Sequence, residues 1–223
     1  MFAAALFDMD GLLLDSERAI MRAWMQVARE RAVRLSPARY ATVVGRNVTE
    51  STALLAPHFG GMEGLQQAQQ QVQALLRVQP PEERFALKPG VAELLAWLAA
   101  REVPCAVASS SSRYEIEHRL ALVGVRAHFR AVAGGDEVPA GKPDPAVYLL
   151  AAQRMGHAAS ACLAFEDSPN GARAALAAGA TLVLVPDLVR PPVALARRSL
   201  CVLGSLQQAL PQAPQWFGDD DEP

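Results

Sequence analysis

The chain has 223 residues, of which 51% are hydrophobic and 20% are charged, as in globular proteins that bury a full-sized core. Its 21 basic and 23 acidic residues give a formal net charge of −2, which excludes the basic excess typical of nucleic-acid binders. All of its apolar runs are too short to cross a bilayer, so we expect no membrane partner.

Short apolar runs bounded by turn residues recur along the chain and predict strands. They cover residues 3–7, 103–108, 131–133, 161–165, 181–185 and, more weakly, 200–203. Segments with helical spacing lie between most of them, at residues 91–100, 113–123, 145–155 and 169–178. Continuous apolar strands that alternate with helices indicate an α/β fold, a Rossmann-like parallel sheet with helices on both faces.

The alternation is interrupted between residues 16 and 85, where no strand is convincing. Helices are predicted there over residues 16–33, 37–44, 48–56 and 62–78. We therefore expect two domains: a core from residues 1–15 and 86–212, and an inserted α-helical domain over residues 16–85. Residues 213–223 are interpreted as a solvated acidic tail, because residues 219–222 are all acidic and like charges repel.

The cysteines Cys105, Cys162 and Cys201 lie in apolar runs without a CxxC pattern, so we expect buried thiols in a reducing compartment. The apolar start of the chain has no basic residues and is interrupted by Asp8, unlike a secretory signal peptide. A cytoplasmic protein is expected.

Polar residues follow several of the predicted strands, where an open parallel sheet binds its ligands. They are Asp8 and Asp10 after the first strand, Ser109 after the second, Lys142 beyond the third, and Glu166 and Asp167 after the fourth. Four carboxylates at one sheet edge would repel one another without a cation, and hard oxygen ligands favour Mg²⁺. For the Asp8–Asp10 pair alone, an ordinary surface turn is the alternative explanation.

The same set of residues suits phosphoryl transfer, which depends on positioning and on neutralising the charge of the transferred group. Ser109 opens a run of four serines before a predicted helix, where a hydroxyl and backbone amides form an anion site. Lys142 lies between glycine and proline and would supply positive charge beside the carboxylates. A carboxylate nucleophile would form an aspartyl-phosphate and divide a difficult displacement into two steps.

Four motifs in this order resemble the haloacid dehalogenase (HAD) superfamily, and within it the β-phosphoglucomutase and sugar-phosphate phosphatase subfamily. They are FDMDGLLLDSE at 7–17, VASS at 107–110, GKP at 141–143 and FEDSPNG at 165–171. The resemblance implies a core with a helical cap, formed by residues 16–85, that closes over the site and excludes water. It also implies a Mg²⁺-dependent enzyme that acts on a small phosphorylated metabolite.

The resemblance also implies a role for each matching residue. Asp8 would be the nucleophile, and Asp10 would protonate the leaving alcohol and then deprotonate the attacking water. Ser109 and Lys142 would hold the phosphoryl oxygens, with Ser110 next to them in the same motif. The Mg²⁺ ligands would be Asp8, the main-chain carbonyl of Asp10, and Asp167, with Glu166 binding directly or through water.

Within the superfamily, these residues favour a phosphatase that hydrolyses small phosphomonoesters, and the expected substrates are phosphorylated sugars or related metabolites. Dehalogenases lack the second aspartate, so Asp10 argues against that activity. A phosphosugar mutase is the alternative, but Ile20 occupies the place of its cap histidine and no lysine occurs in residues 36–85.

Two residues of the insert are candidate substrate contacts. Glu17 lies on the first predicted helix of the insert, and Arg46 lies in a GRN turn where relatives place a substrate-facing loop. A solvated arginine between two helices is the alternative for Arg46. We expect a monomer or a weak dimer.

Overall fold

A computed structural model describes residues 1–44, 48–80 and 84–218, with the backbone alone for residues 48–50. The chain divides into two compact units. An α/β unit combines Met1–Leu14 with Leu87–Pro223, and a helical unit spans Asp15–Ala86. The boundaries predicted from the sequence lie one residue later than the first of these crossings and one residue earlier than the second.

A parallel sheet organises the α/β unit, as the sequence predicts. Its strands are β1 (Ala4–Phe7), β2 (Cys105–Ala108), β3 (Ala131–Ala133), β4 (Cys162–Glu166), β5 (Thr181–Leu184) and β6 (Cys201–Val202). They pair in the order β3-β2-β1-β4-β5-β6, and every neighbouring pair is parallel. The order reverses at β1, so β1, β2 and β4 end side by side, which is where such sheets bind ligands. This confirms the Rossmann-like α/β fold.

Eight helices of the described residues correspond to the predicted segments, and two short ones were not predicted. The eight are α1 (Ser16–Glu30), α2 (Pro37–Ala41), α3 (Val48–Leu55), α4 (Met62–Val78), α5 (Val91–Ala100), α6 (Arg113–Leu122), α7 (Ala146–Met155) and α8 (Pro169–Ala177), and the two short ones are α9 (Val193–Ala196) and α10 (Ala213–Phe217). Among these helices, none is both long enough and apolar enough to cross a membrane.

The sheet is buried on both faces because successive side chains of each strand point in opposite directions. Leu6 of β1 and Ala106 of β2 belong to a core cluster with α7, including Val147. On the other face, the ring of Phe7 stacks on Phe165 of β4 with centroids 4.8 Å apart. Apolar residues on both faces explain why the strands appear in the sequence as continuous apolar runs rather than alternating ones.

The predicted acidic tail begins too early, since residues 213–217 form α10 rather than solvated chain. Trp216 is buried and its ring lies 5.9 Å from that of Phe165. The carbonyl of Trp216 also accepts a hydrogen bond from the backbone N–H of Phe2 at 2.8 Å. Burial of this large ring attaches α10 to the sheet, and the acidic residues 219–222 lie outside the described residues.

The helical unit has its own apolar core. Trp24 of α1 packs with Tyr40 of α2 and with Phe59, at ring separations of 6.3 and 5.6 Å. Leu65 and Val72 of α4 complete the same cluster. Trp24 is therefore a core residue of this unit.

The three cysteines are free thiols, as expected. Cys105 and Cys162 are buried, whereas Cys201 is only half-buried, because β6 lies at the edge of the sheet.

Candidate active site

Lys142 joins two strand ends at the centre of the site. Its Nζ lies 2.5 Å from Asp8 Oδ1, just beyond β1, and 2.6 Å from Glu166 Oε1, at the end of β4. The three side chains are 6%, 10% and 0% exposed, respectively, so the ammonium and both carboxylates are almost completely removed from water. In such surroundings each charge requires a close partner.

Tyr148 of α7 was missed by the sequence analysis. Its hydroxyl donates to Glu166 Oε1 at 2.8 Å and lies 3.5 Å from Lys142 Nζ. The other oxygen of Glu166 accepts from the backbone N–H and the hydroxyl of Ser168, both at 3.1 Å. The available signal was a tyrosine on the buried face of a predicted helix, since a buried hydroxyl needs a hydrogen-bond partner.

Asp167 completes an acidic cluster with Asp8 and Glu166. One carboxylate oxygen from each of the three lies within 4.8 Å of the other two, and all three residues are buried. Gly11 has a φ of +90° and makes room for this cluster, because a Cβ there would overlap Asp167 Oδ2. Close, buried carboxylate oxygens form a donor set that fits a hard divalent cation.

The charge balance of the cluster perturbs two pKa values. Burial raises the pKa of Asp8 from 3.8 to about 7, because the ion pair with Lys142 offsets only part of this effect and Glu166 adds repulsion. Burial alone would lower the pKa of Lys142, but the Asp8 and Glu166 carboxylates outweigh this effect. The net result is a raised pKa, so the ammonium stays protonated. Three carboxylates share one ammonium, and the raised pKa of Asp8 shows that its charged form is only partly compensated.

Ser109 and the loop after it begin beside this cluster. The backbone N–H of Ser109 donates to Ala133 O at 3.0 Å and continues the β2–β3 ladder, and its side chain is buried. Ser109 Oγ accepts from the backbone N–H of Ser111 at 3.1 Å. Ser110 is exposed. Ser112 caps α6 in a capping box with Glu115, which fixes the start of the helix.

Asp10 points toward α6, where it meets a residue that the sequence analysis also missed. Arg119 Nη1 lies 2.9 Å from Asp10 Oδ1 and 3.1 Å from Oδ2. The hydroxyl of Ser111 donates to Asp10 Oδ2 at 3.0 Å. No local pattern identifies this pair, because Asp10 and Arg119 are 109 residues apart in the sequence.

Comparison with known families agrees with this arrangement. A sequence model of the haloacid dehalogenase-like hydrolases matches residues 2–179, which include every motif described above. The chain belongs to this family. The members of this hydrolase family that it resembles include phosphatases, and the chain is a phosphoric monoester hydrolase.

Known HAD proteins resemble the chain over most of its length. The phosphorylated carbohydrates phosphatase of Thermotoga maritima is 29% identical over 176 residues, which is 79% of this chain and 81% of the relative. A HAD family hydrolase from Deinococcus radiodurans R1, solved with phosphate and sodium bound, has a TM-score of 0.79 and 30% identity, with 99% of both chains covered. A putative β-phosphoglucomutase from Thermotoga maritima has a TM-score of 0.75 and 25% identity, with 95% of this chain and 98% of the other covered.

The structure thus brings Asp8, Lys142, Glu166 and Asp167 together in this HAD protein, with Ser109 and Asp10 following the neighbouring strand ends. Glu17 lies in the first turn of α1 in the helical unit. Burial is the main cause of the raised pKa of the Tyr40 phenol, and the nearby charge of Glu17 raises it further. Arg46 lies outside the described residues.

Proposed function

We propose that this enzyme is a Mg²⁺-dependent phosphatase that hydrolyses small phosphomonoesters, with phosphorylated sugars as its substrate class, through an aspartyl-phosphate intermediate. The observation that carries the proposal is the pairing of Asp8 with Lys142 at the end of β1, beside Glu166 and Asp167. A carboxylate, a lysine and an acidic cluster at one sheet edge are suited to phosphoryl transfer.

In the first step, a carboxylate oxygen of Asp8 attacks phosphorus while the bond from phosphorus to the ester oxygen breaks. Asp10 gives its proton to the departing alcohol. In the second step, Asp10 takes a proton from a water molecule, which attacks the phosphorus of the aspartyl-phosphate and regenerates Asp8. Asp10 lies two residues beyond the nucleophile, on the α6 side of the site.

Lys142 and Ser109 hold the phosphoryl group in this proposal. The Lys142 ammonium contacts Asp8 Oδ1 directly, so it is within reach of a phosphoryl group transferred to that carboxylate. The Ser109 hydroxyl donates to a second phosphoryl oxygen, and Ser110 extends the same loop over the anion. Phosphate oxygens here would also face the N-terminal side of α6.

The residues proposed to hold Mg²⁺ are Asp8, the main-chain carbonyl of Asp10, and Asp167, with Glu166 binding directly or through water. Glu166 accepts hydrogen bonds from Lys142, Tyr148 and Ser168, which favours the indirect role. When bound, Mg²⁺ neutralises charge on the carboxylates and on the phosphoryl group. The net negative charge of the buried cluster supports a cation of this type.

Sugar phosphates are proposed as substrates because a relative over most of the chain is named a phosphorylated carbohydrates phosphatase. The helical unit is proposed as the cap, with Glu17 and Arg46 contacting the sugar. Arg46→Ala is then expected to raise KM for sugar phosphates while inorganic phosphate still inhibits the variant as it does the wild-type enzyme.

The proposal is tested by phosphate release from a panel of sugar phosphates and other phosphomonoesters, with Mg²⁺ and with EDTA. We expect Mg²⁺-dependent release that is strongest for sugar phosphates and absent in Asp8→Asn. Release that persists in EDTA would contradict the metal requirement, and no release from any ester would contradict the phosphatase assignment.

A phosphosugar mutase is a second candidate, supported by the likeness to a putative β-phosphoglucomutase. It predicts interconversion of sugar phosphate isomers that a sugar bisphosphate stimulates. Incubation of β-glucose 1-phosphate with Mg²⁺ and a sugar bisphosphate separates the two candidates, since the phosphatase yields glucose and phosphate whereas the mutase yields glucose 6-phosphate.

We further propose a cytoplasmic enzyme that is a monomer or weak dimer. The three free thiols support a reducing compartment. Light scattering across a concentration series tests the oligomeric state, and a constant mass of a tetramer would contradict it.

A further inference from the structure

Arg119 of α6 contacts Asp10, but neither the motifs nor the proposed function assigns it a role. Its guanidinium is 2.9 and 3.1 Å from the two carboxylate oxygens, and the Arg119 and Asp10 side chains are 16% and 20% exposed. We propose that Arg119 is a positioning residue that fixes the Asp10 carboxylate for proton transfer. The inference rests on the proposed function, because it takes the role of Asp10 from there.

Arg119 is itself held in place by α6. Its Nη2 lies 2.8 Å from Oε1 of Glu115, one helical turn earlier, and a glutamate four residues before an arginine is the favourable order. The other oxygen of Glu115 accepts from the backbone N–H of Ser112 at 3.3 Å, at the start of the helix. Because Glu115 holds one guanidinium nitrogen, the other is directed at Asp10. The Arg119 side chain therefore loses little additional rotamer freedom when it contacts Asp10.

Ser111 connects this pair to the loop proposed to bind phosphate. Its hydroxyl donates to Asp10 Oδ2 at 3.0 Å, and Arg119 Nη1 lies 3.4 Å from the same hydroxyl oxygen. The backbone N–H of Ser111 donates to Ser109 Oγ at 3.1 Å. One hydrogen-bond network therefore fixes Asp10 relative to Ser109. Removal of Arg119 would take away both guanidinium contacts with the Asp10 carboxylate and leave the Ser111 hydroxyl bonded to it.

Position matters because a proton donor must lie within roughly 2.6–3.2 Å of the oxygen that it protonates. In the first step the Asp8–phosphorus bond forms, the bond to the ester oxygen breaks, and the Asp10 proton passes to that oxygen. An Asp10 side chain free to rotate would spend most of its time out of reach. Loss of Arg119 should therefore slow the esters whose leaving oxygen needs the proton.

Two ester substrates of similar size distinguish a loss of proton transfer from a general loss of activity. Phenolate is a basic leaving group that benefits from protonation, whereas p-nitrophenolate is a stable anion that leaves without it. Since kcat/KM covers the steps up to departure of the leaving group, it isolates the first proton transfer. For Arg119→Ala we expect kcat/KM to fall roughly 10–100-fold with phenyl phosphate and less than about 3-fold with p-nitrophenyl phosphate.

The matched control is Arg126→Ala. Arg126 lies just beyond the end of α6 and pairs with Glu117 of that helix, but it does not contact Asp10. It should leave kcat/KM for both esters within about 2-fold of wild type, as expected for the loss of a partly exposed ion pair. Arg119→Lys keeps the positive charge but lacks the two-nitrogen fork of the guanidinium. We therefore expect kcat/KM for phenyl phosphate to fall more than that for p-nitrophenyl phosphate, but by a smaller factor than in Arg119→Ala. Arg119→Lys also provides the test if Arg119→Ala does not fold.

A double-mutant cycle with Asp10→Asn completes the experiment. If Arg119 acts through Asp10, adding Arg119→Ala to Asp10→Asn should change kcat/KM for phenyl phosphate by less than about 2-fold. Equal losses for the two esters, or losses that multiply in the double variant, would overturn the inference and indicate a structural role. Full activity of Arg119→Ala beside an impaired Asp10→Asn would overturn it too, but leave the proposed function standing. Full activity of Asp10→Asn would instead overturn the proposed role of Asp10, and the inference with it.

Discussion

Two groups of ionised side chains in the α/β unit have opposite charge balances. At the strand ends, Asp8, Glu166 and Asp167 surround the single ammonium of Lys142, and burial raises the pKa of Asp8 to about 7. Beside β3, the Glu137 carboxylate is shared by two guanidinium groups. Arg154 binds both of its oxygens, at 2.8 and 2.9 Å, and Arg113 lies 3.3 Å from one of them.

The pKa values of the two groups differ accordingly. Hydrogen bonds from Arg154 lower the pKa of Glu137 from 4.5 to about 2, with further help from the backbone N–H of Gly134. A carboxylate with a lowered pKa is stabilised by its neighbours, as in a structural ion pair. A raised pKa means that the surroundings disfavour the charged form of the carboxylate, so ionisation costs stability, and such shifts are typical of functional sites. The comparison therefore separates the candidate active site from a structural cluster on electrostatic grounds.

The largest expected effect is that of Asp8→Asn on turnover. The change is nearly isosteric and removes the proposed nucleophile, so phosphate release should fall at least roughly 10³-fold. Because it also removes charge from a negatively charged cluster, the thermal midpoint in EDTA should not fall below that of the wild-type protein. Phosphate release and thermal unfolding are measured on the same preparation, and retained turnover would show that Asp8 is not the nucleophile.

Lys142→Met tests whether one ammonium holds the acidic cluster together. Removing it leaves Asp8 and Glu166 buried without their cation, so the free energy of unfolding in EDTA should fall by about 3–5 kcal/mol, measured by urea denaturation. Activity should also be lost. The matched control is Lys88→Met, which removes the ammonium 2.6 Å from Asp187 and leaves the contacts of Lys142 with Asp8 and Glu166 in place. That variant should lose stability but still release phosphate, and unchanged stability of Lys142→Met would contradict the comparison.

Mg²⁺ should stabilise the acidic cluster of Asp8, Glu166 and Asp167 and not the cluster around Glu137. At 100 times its dissociation constant, an ion that binds the folded state adds about 2.7 kcal/mol to the free energy of unfolding. Asp167→Asn should weaken this stabilisation, whereas Glu137→Gln should leave it unchanged. Urea denaturation over a Mg²⁺ titration measures both, and a wild-type protein that does not respond to Mg²⁺ would contradict the metal assignment.

The smallest effect is expected from Glu137→Gln. At pH 7 the variant should be less stable by about 1–2 kcal/mol, because hydrogen bonds to a charged carboxylate are lost. Since folding lowers the Glu137 pKa, this stabilisation is fully present above about pH 4.5 and is lost as the pH falls toward 2. The difference in stability between wild type and variant should shrink over that range in urea titrations, with turnover near neutral pH unchanged. A difference that does not depend on pH would show that ion pairing is not its cause.

Local patterns in the sequence predicted most of the fold. Apolar runs identified the strands because the sheet is covered on both faces. Helix ends were less certain: α1 was predicted to reach residue 33 but ends at Glu30. Ala32 turns there with a φ of 55°, and Val33 packs against the helical core through that turn rather than along the helix. Spacing alone cannot separate these two ways of burying Val33.

Long-range contacts explain what the sequence did not predict. Trp216 binds the sheet from the other end of the chain, and Tyr148 reaches Glu166 from a helix whose apolar spacing indicated only core packing. Arg119 has the appearance of a solvated residue on an amphipathic helix, and only the fold places it beside Asp10. Strand ends, by contrast, are predictable, and this is why Asp8, Lys142, Glu166 and Asp167 were all among the candidates.

The most direct test of the central claim is to find the phosphoryl group on Asp8. The enzyme is mixed with p-nitrophenyl phosphate and Mg²⁺, quenched rapidly and treated with borohydride, which reduces an acyl phosphate to an alcohol. Peptide mass spectrometry then locates the change. We expect homoserine at position 8 in the wild-type enzyme, more of it in Asp10→Asn, and none in Asp8→Asn. Reduction at another residue, or no reduction during active turnover, would contradict a mechanism that proceeds through Asp8.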